Sequence, residues 1–441
     1  MMSRRRILVS AYACSPLWGS EPEVGWQWVM QLARLHDVVL VTHAHFRSHL
    51  EPALAAAGVS TQVPSVGLPA IEVHYFDAGS LGLHPHRQLN SRIFYVWWQF
   101  RVRAFVAQLL NSKRFDLIHH LTWGTLRFPS FLGGMGVPLV MGPLGGGESA
   151  PLRFFDDLPW RHRVFDGLRS FSLLWMRVDP LATWGPRSAA LVLCRTRESL
   201  HRLPRSVQDR AAVVPDIGSP EVDVSLRREP PDSPRDASAG PCRLLFAGRL
   251  LGWKGVGLAV GAVARLVAMG RDVQLDIAGD GPLRSFLSRR IHALGLDRRV
   301  RLLGVVPREE LFKLYAQADL FVFPSLHDAG GTVVLEALSR GLPVICLDLG
   351  GPPNFIDARS GVIVSTQDRS REEVVQALAD AIAQALDQPG RLALLSRGAA
   401  EHARQQSWEV LVRRAYSLIH QRLNWEPALG RALPGAPFCP P

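Results

Sequence analysis

Short runs of β-branched and aromatic residues recur along the chain, each breaking off at glycine, proline or a polar pair before a helical stretch begins. ILVSAY (7–12), VVLVTHA (38–44), FDLIHHL (115–121) and VPLVMGPL (137–144) lie in the first half; RLLFAGRL (243–250), VQLDIAGDGP (273–282), DLFVFPS (319–325), PVICLD (343–348) and GVIVS (361–365) lie in the second. Near-continuous apolar runs of this length are strands covered on both faces, and strand–helix alternation is the signature of a doubly wound parallel sheet. In such sheets ligands sit beyond the carboxyl ends of the strands. The loops that end these runs are therefore where function is sought.

The pattern stops and restarts. Residues 218–241 (GSPEVDVSLRREPPDSPRDASAGP) are rich in proline and charge and poor in apolar residues, which reads as a linker. At 441 residues the chain exceeds what one core usually serves. The expected organisation is an amino-terminal domain (1–217), the linker, a second domain (242–406), a helix over 407–425 that could cross back to the first domain, and a frayed tail (426–441). Hydrophobic content of 47% with 20% charged residues is that of a globular protein. The start, MMSRRRILVSAYACS, has too short an apolar run for a signal peptide and reads as the first strand of a cytoplasmic protein. Five cysteines without paired spacing read as buried free thiols rather than a disulfide or zinc set.

Net charge is +11, and only three of the 50 basic residues are lysines. A basic surface attracts phosphorylated ligands, anionic lipid or nucleic acid. No zinc-finger, RNP or basic-zipper pattern is present, so nucleic acid is not an expected partner. Residues 86–114 carry six basic residues, no acidic ones and the cluster Phe94, Tyr95, Trp97, Trp98 and Phe100. Arginine beside tryptophan suits a membrane interface with anionic head groups. The plainer reading is a core helix whose arginines reach water. The stretch WRHRVFDGLRSFSLLWMRVDP (160–180) has the same character.

Several loops carry polar groups at strand ends. After the first strand, Gly19, Ser20 and Glu21 form the polar centre of a long βα loop, either an ordinary connection or a substrate-side one. FDLIHHL ends in His119 and His120, which point to opposite sheet faces, so at most one meets a ligand. GPLGGGES places Gly146 at the next strand end. In the second half, AGRLLGWKG sets Gly248, Arg249 and Lys254 in a glycine-framed loop, where a guanidinium fork and an ammonium can converge on a diphosphate. AGDGPLR (278–284) is a second, weaker glycine turn, and Gly304-Val305-Val306 offers backbone groups to a base edge. DAGGTVVLEALSRGLPVI begins with Asp328, places Gly330, Gly331 and Thr332 at a helix N-terminus suited to an anion, and continues to Glu336. The two carboxylates can accept from sugar hydroxyls and from a ribose diol. Their alternative is a capping aspartate and a solvated helical glutamate.

Taken in order, GRLLGWKG, IAGDGPLR, LLGVVPREELFKLYAQADLFVFPS and DAGGTVVLEALSRGLPVI resemble the carboxyl-terminal domain of glycosyltransferase family 4, closely over about 243–366. AYACSPLWGSEPEVGW, HHLTWGTLRFPSF and GPLGGGES are similar to a bacterial branch of that family linked to surface-polysaccharide assembly. The resemblance implies the GT-B architecture: two doubly wound Rossmann-like domains, a cleft between them, and a carboxyl-terminal helix crossing back. It implies a hexosyltransferase that retains anomeric configuration and takes a nucleoside-diphosphate sugar as donor, with no other cofactor. Arg249 and Lys254 would hold the diphosphate, Glu336 the donor ribose, Asp328 the sugar, and the turn at Gly330–Thr332 the phosphate and sugar. His119 or His120 would lie near the transferred sugar.

Two departures stand out: Asp328 replaces the family's usual glutamate, and Ala329-Gly330-Gly331 replaces Gly-Phe-Gly. No Asp-x-Asp triplet occurs, which fits transfer without a metal. The expected acceptor is a lipid-linked or polysaccharide precursor, reached from the cytoplasm or from the inner face of the membrane through 86–114. Rival readings are a nucleotide-sugar epimerase or phosphorylase of the same architecture, and a non-catalytic, membrane-associated sugar-nucleotide-binding protein.

Overall fold

The structure, a computed structural model, describes residues 4–59, 71–80, 89, 91–155, 160–220 and 240–425. Most of the 218–241 linker and the tail after 425 fall outside these residues, as does Cys439. The chain divides into two compact units: unit 1 comprises 1–147, 172–216 and 408–441, and unit 2 comprises 148–171 and 217–407. Residues 148–171 thus group with unit 2 although they lie within the segment read from sequence as the first domain.

Unit 1 is built on a seven-stranded sheet of order β3-β2-β1-β4-β5-β6-β7. Its strands are β1 (Arg6–Ala11), β2 (Asp37–His43), β3 (Ile71–Phe76), β4 (Leu117–Thr122), β5 (Leu139–Leu144), β6 (Leu191–Cys194) and β7 (Ala211–Val213), and every pair is parallel. Central strands β1 and β4 are buried along almost their whole length, because helices cover both faces. That is why their side chains are apolar without alternation.

Unit 2 repeats the plan with six strands in the order β10-β9-β8-β11-β12-β13, again all parallel. These are β8 (Cys242–Ala247), β9 (Val273–Ala278), β10 (Val300–Gly304), β11 (Leu320–Phe323), β12 (Val344–Leu347) and β13 (Gly361–Val364). Helices are started by the expected side-chain caps where the sequence supplies them. Ser370 and Glu373 form a reciprocal capping box at helix Arg371–Asp387, and Asp179 caps helix Pro180–Ser188.

In both units the strand order reverses beside the first strand, between β1 and β4 and between β8 and β11. The loops leaving adjacent strands diverge there, which opens a crevice at the carboxyl ends. The last helix, Trp408–Arg422, belongs to unit 1. There the Tyr416 hydroxyl lies 2.8 Å from His119 Nδ1, and the His420 ring stacks on His36 at 5.2 Å. The four described cysteines, Cys14, Cys194, Cys242 and Cys346, are buried thiols.

Candidate functional site

The reversal point of unit 2 brings the loops after β8 and β11 into close contact. Gly255 has φ +69°, and a Cβ on it would stand 1.9 Å from the Pro324 carbonyl oxygen. Only glycine allows that approach. It delivers Lys254 from one loop to Asp328 of the other: Nζ lies 2.9 Å from Oδ1 and 2.6 Å from Oδ2. The Ser325 hydroxyl donates to Oδ2 at 2.9 Å. Below the pair, the ammonium sits 4.5 Å from the Trp253 ring centroid and 5.2 Å from that of Phe323. Trp253 is in turn stacked on His327 at 4.6 Å. Lysine and aspartate side chains are each about five-sixths buried, so the pair is dry enough for its charges to be felt strongly.

The loop that carries Asp328 is fixed from behind. Gly351 N–H donates to the Asp328 carbonyl at 2.6 Å, and side chains at Gly350 or Gly351 would collide with the Asp328 and Ala329 carbonyls. A Cβ on Gly331 would stand 3.2 Å from the Phe355 ring. Helix Thr332–Ser339 starts here without a side-chain cap, and among the described residues the N–H groups of Thr332 and Val333 have no acceptor. An anion is a ready partner for such groups. A similar backbone approach occurs at Gly279, where a Cβ would stand 2.0 Å from the Gly248 carbonyl oxygen. The Gly279 N–H also donates to Gly304 O at 2.7 Å.

Glu336 sits on the same helix with a different set of neighbours. Arg308 donates to Oε1 at 3.2 Å and the Tyr315 hydroxyl to Oε2 at 3.3 Å. Burial, and secondarily the Glu336 charge, push the Tyr315 hydroxyl well above its ordinary pKa, so it remains a donor. Arg340 lies buried over the Phe312 ring at 3.9 Å. Arg249 is exposed, and among the described residues its side chain makes no ion pair or hydrogen bond, while its carbonyl accepts from Leu251 N–H at 2.8 Å. Val305 is likewise exposed at the end of β10. The structure therefore unites Lys254 with Asp328, gives Glu336 its own cradle, and leaves Arg249 and Val305 facing solvent.

The candidate residues of unit 1 are mostly engaged inside that unit. Glu21 Oε1 pairs with Arg195 at 2.5 Å and Oε2 accepts from Gly124 N–H at 3.1 Å. Arg195 also reaches Asp216 Oδ2 at 3.1 Å and the Pro143 carbonyl at 3.2 Å. Glu21 and Arg195, which follow β1 and β6, thus tie together the loops after β4 and β7 and the end of β5. Ser20, at φ +64°, precedes the helix Glu21–Ala33 without capping it, and Gly19 is exposed. Gly146 takes φ +91°, beside Thr125.

Both strand histidines are buried. His119 uses both ring nitrogens, with Tyr416 and with the Gly142 carbonyl at 2.7 Å. His120 Nε2 lies 3.3 Å from the Tyr95 hydroxyl. Burial lowers each to about 4, so both are neutral near pH 7. Alternation along the strand does separate them, but both faces of the sheet are covered.

Helix Arg92–Ser112 is a core helix along one side, with Phe94, Tyr95, Trp98, Val102 and Val106 buried. Residues 86–88 and 90 of the basic-aromatic segment lie outside the described residues. No described helix is long and apolar enough to cross a membrane. Ser325, Trp253, Arg308 and Tyr315 were not singled out by sequence. The only signal for the last two was their seven-residue spacing in REELFKLY, which puts them on one side of a helix.

Residues 234–405 match the family model described as glycosyl transferases group 1. The α-D-kanosaminyltransferase of Streptomyces kanamyceticus is 32% identical over 221 residues, 48% of this chain and 56% of that protein. A D-inositol 3-phosphate glycosyltransferase of Corynebacterium urealyticum is 35% identical over 173 residues, 37% of this chain and 39% of that protein. The chain thus matches about half the length of these relatives or less. Among solved structures, Anabaena HepE in complex with UDP and glucose matches with a TM-score of 0.53 at 18% identity, covering 95% of this chain and all of that one. Sucrose-phosphate synthase from Thermosynechococcus elongatus matches at 0.56 and 18%, covering 96% and 100%. Two parallel-sheet Rossmann-like units and these likenesses establish the GT-B fold, with residues 234–405 similar to the glycosyl transferases of group 1.

Proposed function

We propose that the chain is a glycosyltransferase of family 4 that moves a hexose-type sugar from a nucleoside-diphosphate donor to a lipid-linked or polysaccharide acceptor, with retention and without a metal. The observation that carries this reading is the Lys254–Asp328 pair at the strand-order reversal, beside the uncapped N–H groups of Thr332 and Val333. Cation, backbone donors and close-packed glycines form a site suited to a diphosphate. Relatives named as glycosyltransferases, and the UDP and glucose held by HepE, support a nucleotide sugar as donor.

In the proposed step the bond from the sugar C1 to the β-phosphate oxygen breaks, its electron pair leaves with the nucleoside diphosphate, and the acceptor oxygen bonds to C1 on the same face. The acceptor proton passes to the departing phosphate oxygen. Lys254 and the helix N-terminus stabilise the charge that grows on that leaving group, and exposed Arg249 is free to close on the same phosphates. Glu336 would take the ribose diol by releasing Arg308, whose side chain is half exposed. The setting is the cytoplasm, at the inner face of the cell membrane.

The test is transfer or donor hydrolysis with UDP-, GDP- and ADP-sugars, comparing the unaltered chain with Lys254→Ala. Loss of about a hundredfold or more in kcat is expected, on the scale of losing one charge stabiliser. Turnover by the alanine variant close to that of the unaltered chain refutes the site. Donor binding without transfer or hydrolysis by the unaltered chain selects the non-catalytic alternative, and isomerisation of the donor sugar selects the epimerase.

A further inference from the structure

Unit 1 exposes aromatic and aliphatic side chains that its core does not use. On helix Arg92–Ser112, Ile93 is 76% exposed and Phe100 58% exposed, between exposed Arg92 and Arg101. Arg101 lies over the Trp97 ring, which stacks on Phe100. Helix Pro180–Ser188 exposes Trp184, and Trp175 and Val178 just before it are exposed as well, beside Arg177 and Arg187.

The two helices are joined by one loop. Phe100 meets Phe131 edge-on at 6.0 Å, Arg103 donates to the carbonyls of Phe131 and Gly133, and the Gly133 backbone lies against Ser188, where a Cβ would be 1.9 Å from its hydroxyl. The two exposed strips are therefore neighbours on one unit.

Their charge is one-sided. Helix Arg92–Ser112 contains no acidic residue, and between 172 and 188 the only one is Asp179, which caps the second helix. A second copy of the chain would set these arginines against arginines, whereas an anionic bilayer complements them. Tryptophan and phenylalanine flanked by arginine match the depth profile of a head-group boundary.

We infer that this face, centred on Phe100 and Trp184, seats unit 1 on an anionic lipid surface. The inference deepens the membrane part of the proposed function by locating it on two helices, and it is read without donor or acceptor.

The experiment is flotation of the full chain with vesicles of phosphatidylcholine alone or mixed with phosphatidylglycerol, together with tryptophan fluorescence. The chain should float with the mixed vesicles only, with a blue-shifted emission. Phe100→Ser/Trp184→Ser should lower the bound fraction about tenfold or more, and Arg101→Glu/Arg187→Glu should remove the dependence on anionic lipid, with thermal melts of both variants unchanged. Turnover of a water-soluble acceptor should be unaffected, so that a failure here leaves the transfer test standing. No flotation overturns the inference, as does flotation that neither pair of substitutions alters. Concentration-dependent self-association abolished by the same substitutions overturns it in favour of a second copy.

Discussion

Replacing Asp328 by asparagine keeps the shape of the loop and removes one charge from a pair whose two side chains are about five-sixths buried. Lys254 then keeps the Trp253 and Phe323 ring faces and a neutral amide in place of a carboxylate held at 2.6 and 2.9 Å. Breaking a fully buried ion pair from one side costs roughly 3–5 kcal/mol, while exposed pairs contribute roughly 1 kcal/mol or less. The remaining exposure here places the loss at about 2 kcal/mol. For a folding unit of this size that lowers Tm by about 4–8 °C. Diphosphate restores the missing negative charge, so UDP should raise the Tm of Asp328→Asn by more than it raises that of the unaltered chain. Differential scanning fluorimetry with and without UDP measures both shifts. If Asp328 served only to hold a sugar hydroxyl, Tm would stay within about 1 °C of the original, UDP would act equally on both, and only the choice among donor sugars would change. That result would refute the argument that Asp328 positions Lys254.

Gly255→Ala forces a Cβ toward the Pro324 carbonyl at a left-handed φ; a loss of about 2 kcal/mol or more, seen by thermal melting, should accompany loss of transfer. Glu336→Ala removes the partner of Arg308 and Tyr315 and should raise the donor KM about tenfold, measured by initial rates, with a smaller effect on kcat. His36, His43, His119 and His120 of unit 1 are each lowered by burial to about 4. The unfolded chain takes up these protons first, so stability is full above about pH 6.5 and falls as pH drops toward 4, by up to about 3 kcal/mol per histidine. Circular dichroism melts between pH 7 and pH 4 should show that loss, and a flat profile would contradict it.

The strand ends were legible because glycine there has a steric cause: Gly255, Gly279 and Gly350 stand where a Cβ would meet backbone, and Gly248 takes φ +149°. Parallel strands buried on both faces likewise announce themselves as unbroken apolar runs, and so the doubly wound sheets could be read from sequence. Pairing across the chain was another matter. Lys254 and Asp328 were each visible as residues of a ligand loop, but nothing local says that a lysine will find a carboxylate 74 positions away. Glu21 looked like a polar loop residue because its partner Arg195 lies beyond five intervening strands. The histidine pair of β4 invited a chemical role, and the structure instead gives His119 two hydrogen bonds, one of them from a tyrosine 297 residues away. Helix Arg92–Ser112 is core at Tyr95 and Trp98 and exposed at Ile93 and Phe100, a division that its composition alone did not give.

Helix Trp408–Arg422 has a consequence for the order in which the protein can be made. It packs on helix Glu21–Ala33 and supplies Tyr416 to His119 and His420 to His36, yet it is synthesised after every strand of unit 2. On the ribosome, unit 1 emerges first and completes itself last, its first helix waiting with an uncovered apolar side while unit 2 folds. A chain stopped at 407 should therefore resist protease in unit 2 and be cut in unit 1; equal resistance of both would show that unit 1 does not depend on the returning helix.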